Sequence, residues 1–127
     1  MNIIIDTHAL LWLFSNDDKL SEKAGKIIKN PSNEVFVSIA SFWEIAIKLS
    51  LSKLVLDVPF ALLFEESEKL DIKILDIQKE HLITLKELPF IHRDPFDRMI
   101  VSQSIALNYA LVSKDKILDE YKIKRVW

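Results

Sequence analysis

The chain has 127 residues, enough for one domain whose core needs no disulfide to stabilise it. It contains no cysteine, which excludes disulfides, thiolate nucleophiles and zinc–thiolate sites and is typical of a reducing cytoplasm. The net charge of −2 argues against binding nucleic acid through bulk positive charge, and the single glycine excludes Gly-rich phosphate loops. No apolar run approaches the roughly 20 residues of a membrane span. We therefore expect one cytoplasmic domain over residues 1–127 that is not bound to a membrane.

Short β-branched runs alternate with helical patterns along the whole chain. Strands are predicted at 2–5, 35–37, 72–75, 110–113 and, at an edge of the sheet, 123–127. Helices are predicted at 7–15, 21–30, 38–51, 59–70, 78–88, 94–107 and 115–121. This alternation predicts the α/β class, with a three-layer sandwich around a mostly parallel central sheet.

The helix predicted at 38–51 is apolar nearly all round. Half of all residues are hydrophobic and the mean hydropathy is +0.15, which is high for a small domain. Such a helix must pack against other groups on most of its faces, and the core of one small domain seldom provides that much contact. Together with Leu10, Trp12 and Phe14 of the first helix, it predicts a surface for a homodimer or for another protein.

Four acidic residues lie where the predicted elements meet. Asp6 ends the first strand, Glu44 lies in the helix after the second, Asp97 is in the first turn of helix 94–107, and Asp115 follows the fourth strand. The carboxyl ends of parallel strands collect ligands, and clustered carboxylates repel one another unless a cation holds them. Hard oxygen ligands favour Mg²⁺ or Mn²⁺.

Each acid also has a structural interpretation. Asp6 and Asp115 could cap the helices that follow them, and Asp94 before a proline could cap helix 94–107. Glu44 would complete a capping box if its helix began at Ser41. Glu44 is the hardest to explain this way, because it is embedded in an apolar helix where a buried charge is costly.

Four segments resemble the motifs of one family, in order and spacing: 4–12, 41–48, 92–98 and 113–115. They resemble PIN domains, and more closely the VapC-type toxins of bacterial and archaeal toxin–antitoxin systems. The resemblance spans nearly the whole chain. It implies a PIN-like fold, a metal-dependent ribonuclease using Mg²⁺ or Mn²⁺, and a cognate antitoxin as partner. Ser-Lys-Asp at 113–115 departs mildly from the Thr-Arg-Asp of many relatives but keeps the acid.

The resemblance also implies roles for individual residues. Those matched to metal-binding acids are Asp6, Glu44, Asp97 and Asp115. Supporting positions are Asp94 as an additional acid, Thr7 and Ser113 as hydroxyls that could hold a carboxylate or water, and Arg98. We expect Arg98 to pair with a carboxylate or a phosphate. We expect His8 and His81 to be structural, whereas His92 could contact RNA phosphates or be exposed.

Two other functions remain open on the sequence. Asp6 could be the nucleophile of a phosphatase, although haloacid-dehalogenase-like phosphatases place an acid two residues later, where this chain has His8. The fold could also serve as a non-catalytic PIN-like binding module. The complete set of four acids argues against that alternative. Basic residues near the carboxyl end could steer RNA or be ordinary solvated side chains: Lys114, Lys116, Lys122, Lys124 and Arg125.

Overall fold

The computed structural model describes all 127 residues and confirms the predicted alternation of strands and helices. The strands are β1 (Asn2–Ile5), β2 (Glu34–Ser38), β3 (Ile72–Leu75), β4 (Ala110–Val112) and β5 (Arg125–Val126). The helices are α1 (Thr7–Ser15), α2 (Glu22–Lys29), α3 (Ile39–Ser50), α4 (Leu62–Lys69), α5 (Lys79–Glu87) and α6 (Pro95–Leu107). A 3₁₀ helix, Lys116–Glu120, stands where a short α-helix was expected.

The five strands form one parallel sheet in the order β3-β2-β1-β4-β5. After β1 the chain adds β2 and β3 on one side, then returns to add β4 and β5 on the other. The direction of winding therefore reverses between β1 and β4. In open parallel sheets a crevice forms at such a reversal, outside the carboxyl ends of the two strands. This position fixes where a site can form.

The sheet is buried on both faces, which gives the three-layer sandwich that the sequence predicted. Successive side chains of a strand point to opposite faces. Ile3 and Ile5 accordingly belong to one apolar cluster, which also contains Leu10 and Phe42. Ile4 belongs to a second cluster on the other face, together with α6 residues such as Ile100.

Side-chain caps set several of the helix starts. The carboxylates or hydroxyls of Asp6, Ser21, Ser38 and Asp94 accept backbone N–H groups of the helices they precede. Because α3 is capped by Ser38, the proposed capping box between Ser41 and Glu44 does not form. Helix α4 begins at Leu62, three residues after the predicted start at Pro59.

Most of the apolar surface of α3 is covered from within the chain. Phe42 stacks on Phe64 with ring centroids 4.4 Å apart, and Leu10 of α1 is fully buried in the same cluster. The prediction that Leu10 contributes to an interface is therefore wrong. Trp43 is the exception on α3, with 60% of its surface exposed. None of the helices has both the length and the apolar character needed to cross a membrane.

Candidate active site

A pocket opens at the reversal between β1 and β4. Asp6 follows β1 directly, Asp115 lies three residues after β4, and Asp97 lies in the first turn of α6. The pocket has a volume of about 260 Å³ and is lined by Asp6, His8, Trp12, Asp97, Lys114 and Asp115. Three of the four predicted acids thus line one pocket.

Asp6 is both a helix cap and a pocket residue. Its Oδ1 accepts the backbone N–H of Ala9 at 2.8 Å, which fixes the carboxylate at the start of α1. Burial raises its pKa, while hydrogen bonds from the Ser113 hydroxyl and the Ala9 amide oppose that rise. The charge of Glu44 raises the pKa of Asp6 further. The cap and the site are therefore the same carboxylate.

Asp97 is a second acid of the pocket whose pKa is strongly raised. Burial, followed by the charges of Asp94 and Asp6, raises the pKa of its carboxyl from 3.8 to about 7. The charge of Glu44 raises this pKa as well. Asp6 and Glu44 therefore lie close enough to Asp97 for their charges to oppose its ionisation. A carboxyl with this pKa carries a proton part of the time at neutral pH.

Glu44 does not line the pocket, yet it belongs to the same cluster. It projects from the second turn of α3 and is only 4% exposed. Its Oε2 pairs with Lys48 Nζ at 2.8 Å, whereas its buried Oε1 has no hydrogen-bond partner. Buried oxygens of this kind are uncommon and often mark a functional site or a bound ion. Since no capping role exists for Glu44, the orphaned oxygen favours the ligand interpretation.

Asp115 reaches the pocket from the other side. Its Oδ1 accepts the Ile117 N–H at 3.1 Å, capping the 3₁₀ helix as the sequence suggested. Its Oδ2 lies 2.9 Å from His92 Nε2, which is also 3.3 Å from Asp97 Oδ2. One oxygen or nitrogen of each of these three side chains lies within 4.8 Å of the others.

His92 is therefore a site residue that the sequence did not resolve. It was expected either to meet RNA phosphates or to be exposed. Instead its ring is hydrogen-bonded to Asp115, 23 residues later, and lies 3.3 Å from Asp97, five residues later. The one local signal was its place two residues before the cap Asp94, whose N–H its Nδ1 accepts at 3.0 Å.

The supporting residues act differently from one another. Asp94 caps α6 by accepting the N–H groups of Phe96 and Asp97 at 2.8 and 3.0 Å. The Ser113 hydroxyl contacts Asp6 and accepts the Asp115 N–H at 3.1 Å, so it joins two acids. Thr7 does not hold a carboxylate, because its hydroxyl donates to Ser41 Oγ at 3.0 Å.

Arg98 does not pair with a carboxylate, so this expectation needs correction. Its guanidinium donates to the backbone carbonyls of Pro89 at 3.0 Å, Leu88 at 3.3 Å and His92 at 3.4 Å. It also lies 4.4 Å from the ring centroid of Phe90. Arg98 thus holds the loop that carries His92, and it is buried there, away from the pocket.

The two other histidines lie in different environments, one buried and one exposed. His81 is buried and its Nδ1 accepts the Gln78 N–H at 3.0 Å, as a structural residue would. His8 is exposed at the pocket, with its ring centroid 5.5 Å from that of Trp12, contrary to expectation. Lys114 Nζ lies 5.8 Å from the Trp12 ring centroid. One part of the pocket wall is therefore aromatic and cationic, opposite in character to the acids.

The donor set fits a hard divalent cation. The converging groups are carboxylates and there is no thiolate. The pKa values of Asp6 and Asp97 are raised, and Glu44 has one unpartnered buried oxygen. Oxygen ligands of this kind select Mg²⁺ or Mn²⁺ over softer metals.

Residues 3–124 match the family model for the PIN domain. The chain belongs to the PIN domain family. This confirms the resemblance that its four motifs carried, and PIN domains are generally nucleases that typically use a divalent metal. A search of curated proteins gave no match for this PIN domain.

Solved structures with this PIN fold include chains from toxin–antitoxin complexes. VapBC2 from Rickettsia felis, bound to a DNA fragment from its promoter, superposes with a TM-score of 0.71 at 16% identity, covering 99% of this chain and 98% of that one. VapBC-1 from nontypeable Haemophilus influenzae gives 0.62 at 15%, covering 99% and 97%. A toxin–antitoxin complex from Klebsiella pneumoniae gives 0.60 at 12%, covering 98% and 96%. At these identities the likeness establishes the fold.

Proposed function

We propose that this chain is a VapC-type endoribonuclease that hydrolyses RNA phosphodiester bonds with Mg²⁺ or Mn²⁺, and that it is the toxin of a toxin–antitoxin pair. One observation carries the proposal. Four acids from separate segments converge: Asp6, Glu44, Asp97 and Asp115. The charge of Glu44 opposes the ionisation of Asp6, both of these charges oppose that of Asp97, and Glu44 keeps a buried oxygen without a partner. Burying such a cluster destabilises the folded chain unless a bound cation neutralises the carboxylates.

The carboxylates of Asp6, Glu44 and Asp97 would hold the metal, and Asp115 would assist directly or through water. The chemistry supplied by Mg²⁺ or Mn²⁺ at such a site is a lower pKa for water and neutralisation of charge on the phosphate. The chain's own residues orient this set. Asp6 is fixed by the Ala9 amide and Ser113, and Asp97 is held at the start of a 13-residue helix. Asp97 must lose its proton to act as a ligand.

The aromatic and cationic part of the pocket supports a nucleic-acid substrate. Trp12 is held from another side by Trp127, whose ring centroid is 5.8 Å away in an edge-on arrangement. A base could stack on the Trp12 ring while Lys114 meets an adjacent phosphate. Stacking of this kind needs an unpaired base, so single-stranded regions of structured RNA are the expected targets.

An antitoxin would be recognised by the same pocket and by exposed apolar surface. An arginine or lysine of a partner protein would complement the acidic cluster and compete with the metal. Leu82, Ile83 and Phe90 are between 51% and 73% exposed, which gives apolar contact area for an antitoxin or for a homodimer. The named fold relatives from toxin–antitoxin complexes support this partner, and the cytoplasm is the compartment that this function requires.

The test is cleavage of structured RNAs by the purified chain, with Mn²⁺ or with EDTA, beside Asp6→Asn and Asp97→Asn. Cleavage should require the metal and be lost in both variants. Asp119→Asn removes an exposed acid that pairs with Arg125, and it should cleave normally. Cleavage that persists in either pocket variant would refute the proposed site. A phosphate mimic trapped covalently on Asp6 would instead support a phosphatase, and RNA binding without cleavage a binding module.

The toxin role needs a separate experiment. Expression of the chain should arrest bacterial growth, and co-expression of the adjacent open reading frame should relieve the arrest. The Asp97→Asn variant should not arrest growth at the same expression level. Sedimentation equilibrium of the purified chain tests the homodimer.

A further inference from the structure

We infer that His92 is a positioning residue that holds Asp115 beside Asp97 by donating from Nε2, and that it is not itself a metal ligand. Although His92, Asp97 and Asp115 form a compact group of possible ligands, the hydrogen bonds around the imidazole ring assign the histidine a different role. The statement that His92 is not a metal ligand rests on the proposed function. The statement that its proton is on Nε2 does not.

The first step is the tautomer of the ring. The backbone N–H of Asp94 donates to His92 Nδ1 at 3.0 Å. A ring nitrogen that accepts a hydrogen bond carries no proton, so the ring is neutral and its proton is on Nε2. Nε2 therefore donates, and its acceptor is Asp115 Oδ2 at 2.9 Å, with Asp97 Oδ2 3.3 Å away. A protonated Nε2 has no lone pair to offer a cation.

The second step is how firmly the ring is held. The His92 backbone N–H donates to the Tyr121 hydroxyl at 2.7 Å, and the His92 carbonyl accepts from Arg98 at 3.4 Å. Both partners are buried. The backbone on either side of the ring is therefore fixed by groups from the core, and the Asp94 amide fixes the ring itself. Such outer contacts commonly orient the ligands of a metal site.

The third step is why Asp115 needs this donor. Its side chain is 42% exposed, compared with 25% for Asp97, and it begins a 3₁₀ helix of five residues. Asp97 instead begins a helix of 13 residues, seven of which are buried. The Nε2–H of His92 thus holds the more exposed carboxylate of Asp115, at a point 3.3 Å from the firmly placed carboxylate of Asp97. Without it, Asp115 would be positioned by its cap hydrogen bond alone.

The decisive variants are His92→Gln and His92→Asn. The Gln amide nitrogen reaches the position of Nε2 and can still donate to Asp115, whereas Asn reaches only the position of Nδ1. By calorimetric titration with Mn²⁺, His92→Asn should bind the ion about 10- to 100-fold more weakly, and His92→Gln should stay close to the unmodified chain. Unfolding in urea checks that both variants remain folded. Equal losses in both variants, or none in Asn, would overturn the positioning role.

Two spectroscopic measurements separate this inference from the proposed function. In the chain without metal at pH 8, long-range ¹H–¹⁵N correlation should show the proton of His92 on Nε2, and a proton on Nδ1 would overturn the inference. With Mn²⁺ bound, electron spin-echo spectra should show no directly coordinated nitrogen in the unmodified chain. A directly bound nitrogen that disappears in His92→Gln would make His92 a ligand. If the chain binds no Mn²⁺, the proposed metal centre fails, while the tautomer measurement still decides the state of His92.

Discussion

The pKa of Asp97 predicts that Asp97→Asn stabilises the chain at pH 8 in EDTA. Burial and then the charges of Asp94 and Asp6 raise this pKa from 3.8 to about 7 in the folded chain. The folded state therefore binds the proton more tightly than the unfolded state. The stabilisation from this proton is fully present below pH 3.8 and is lost as the pH rises through 7. At pH 8 the chain folds with a carboxylate that its surroundings disfavour.

The size of the effect follows from the pKa difference. At about 1.4 kcal/mol for each pKa unit, a shift from 3.8 to about 7 corresponds to about 4 kcal/mol. Because the side chain is 25% exposed and its ionisation is coupled to that of Asp6, we expect about half of this, on the order of 2 kcal/mol. Asn has nearly the shape of the neutral carboxyl. The substitution removes the charge and little else.

The assay is urea unfolding in EDTA at pH 5 and pH 8, at one protein concentration. Between these pH values the unmodified chain should lose about 1 kcal/mol more stability than Asp97→Asn, because part of the effect is already lost by pH 5. Asp119→Asn is the matched control, because hydrogen bonds from Arg125 lower the pKa of this exposed carboxyl. That variant should gain no stability at pH 8. If the unmodified chain and Asp97→Asn keep the same difference at both pH values, burial does not set the pKa of Asp97.

Three further substitutions test other contacts. Lys48→Met leaves Glu44 buried without a cation; because Lys48 is 38% exposed, we expect a loss of about 1–2 kcal/mol in urea unfolding at pH 8, restored when Glu44→Gln is added. An unchanged midpoint would show that the pair is not needed. Trp12→Ala, on an Asp6→Asn background that prevents cleavage, should weaken binding of a labelled RNA by about 1–3 kcal/mol in fluorescence anisotropy, and Trp12→Phe should retain most of the affinity. Equal affinities would remove Trp12 from the substrate site. Arg98→Met leaves three carbonyls without their donor and should lower stability by about 2 kcal/mol and also lower kcat, so a variant with unchanged kcat would show that the His92 loop does not depend on Arg98.

The fold and the convergence of Asp6, Asp97 and Asp115 could be predicted because their signals are local. A β-branched run ending at Asp6, helix caps at Ser21 and Asp94, and an acid within an apolar helix can each be recognised from a few neighbouring residues. The parallel sheet then brings the carboxyl ends of β1 and β4 together, as such sheets do. Local patterns and one topological rule were sufficient for Asp6, Asp97 and Asp115 to be placed in one pocket.

The residues whose roles were predicted wrongly or left open make their contacts with distant parts of the chain. Arg98 binds backbone carbonyls of a loop, and no side-chain pattern marks a carbonyl as a partner. His92 meets Asp115 only after β4 has joined the sheet, 23 residues later. Leu10 was assigned to an interface because its own helix is apolar, whereas its burial depends on how α3 packs above it. In each case the missing information was the identity of a distant partner.

The chain balances each carboxylate of the cluster by a different local means. Asp6 accepts from the Ala9 amide and the Ser113 hydroxyl, Glu44 pairs with a lysine one helical turn away, and Asp115 accepts from His92. Asp97 has no partner of comparable strength, since the nearest donor is 3.3 Å away, and it retains a proton up to about pH 7 instead. A divalent cation would therefore favour the ionisation of Asp97, as it would that of Asp6, whose pKa burial also raises. Metal binding should release protons between pH 5 and 7, and Asp97→Asn should reduce that release in calorimetry performed in two buffers of different ionisation enthalpy.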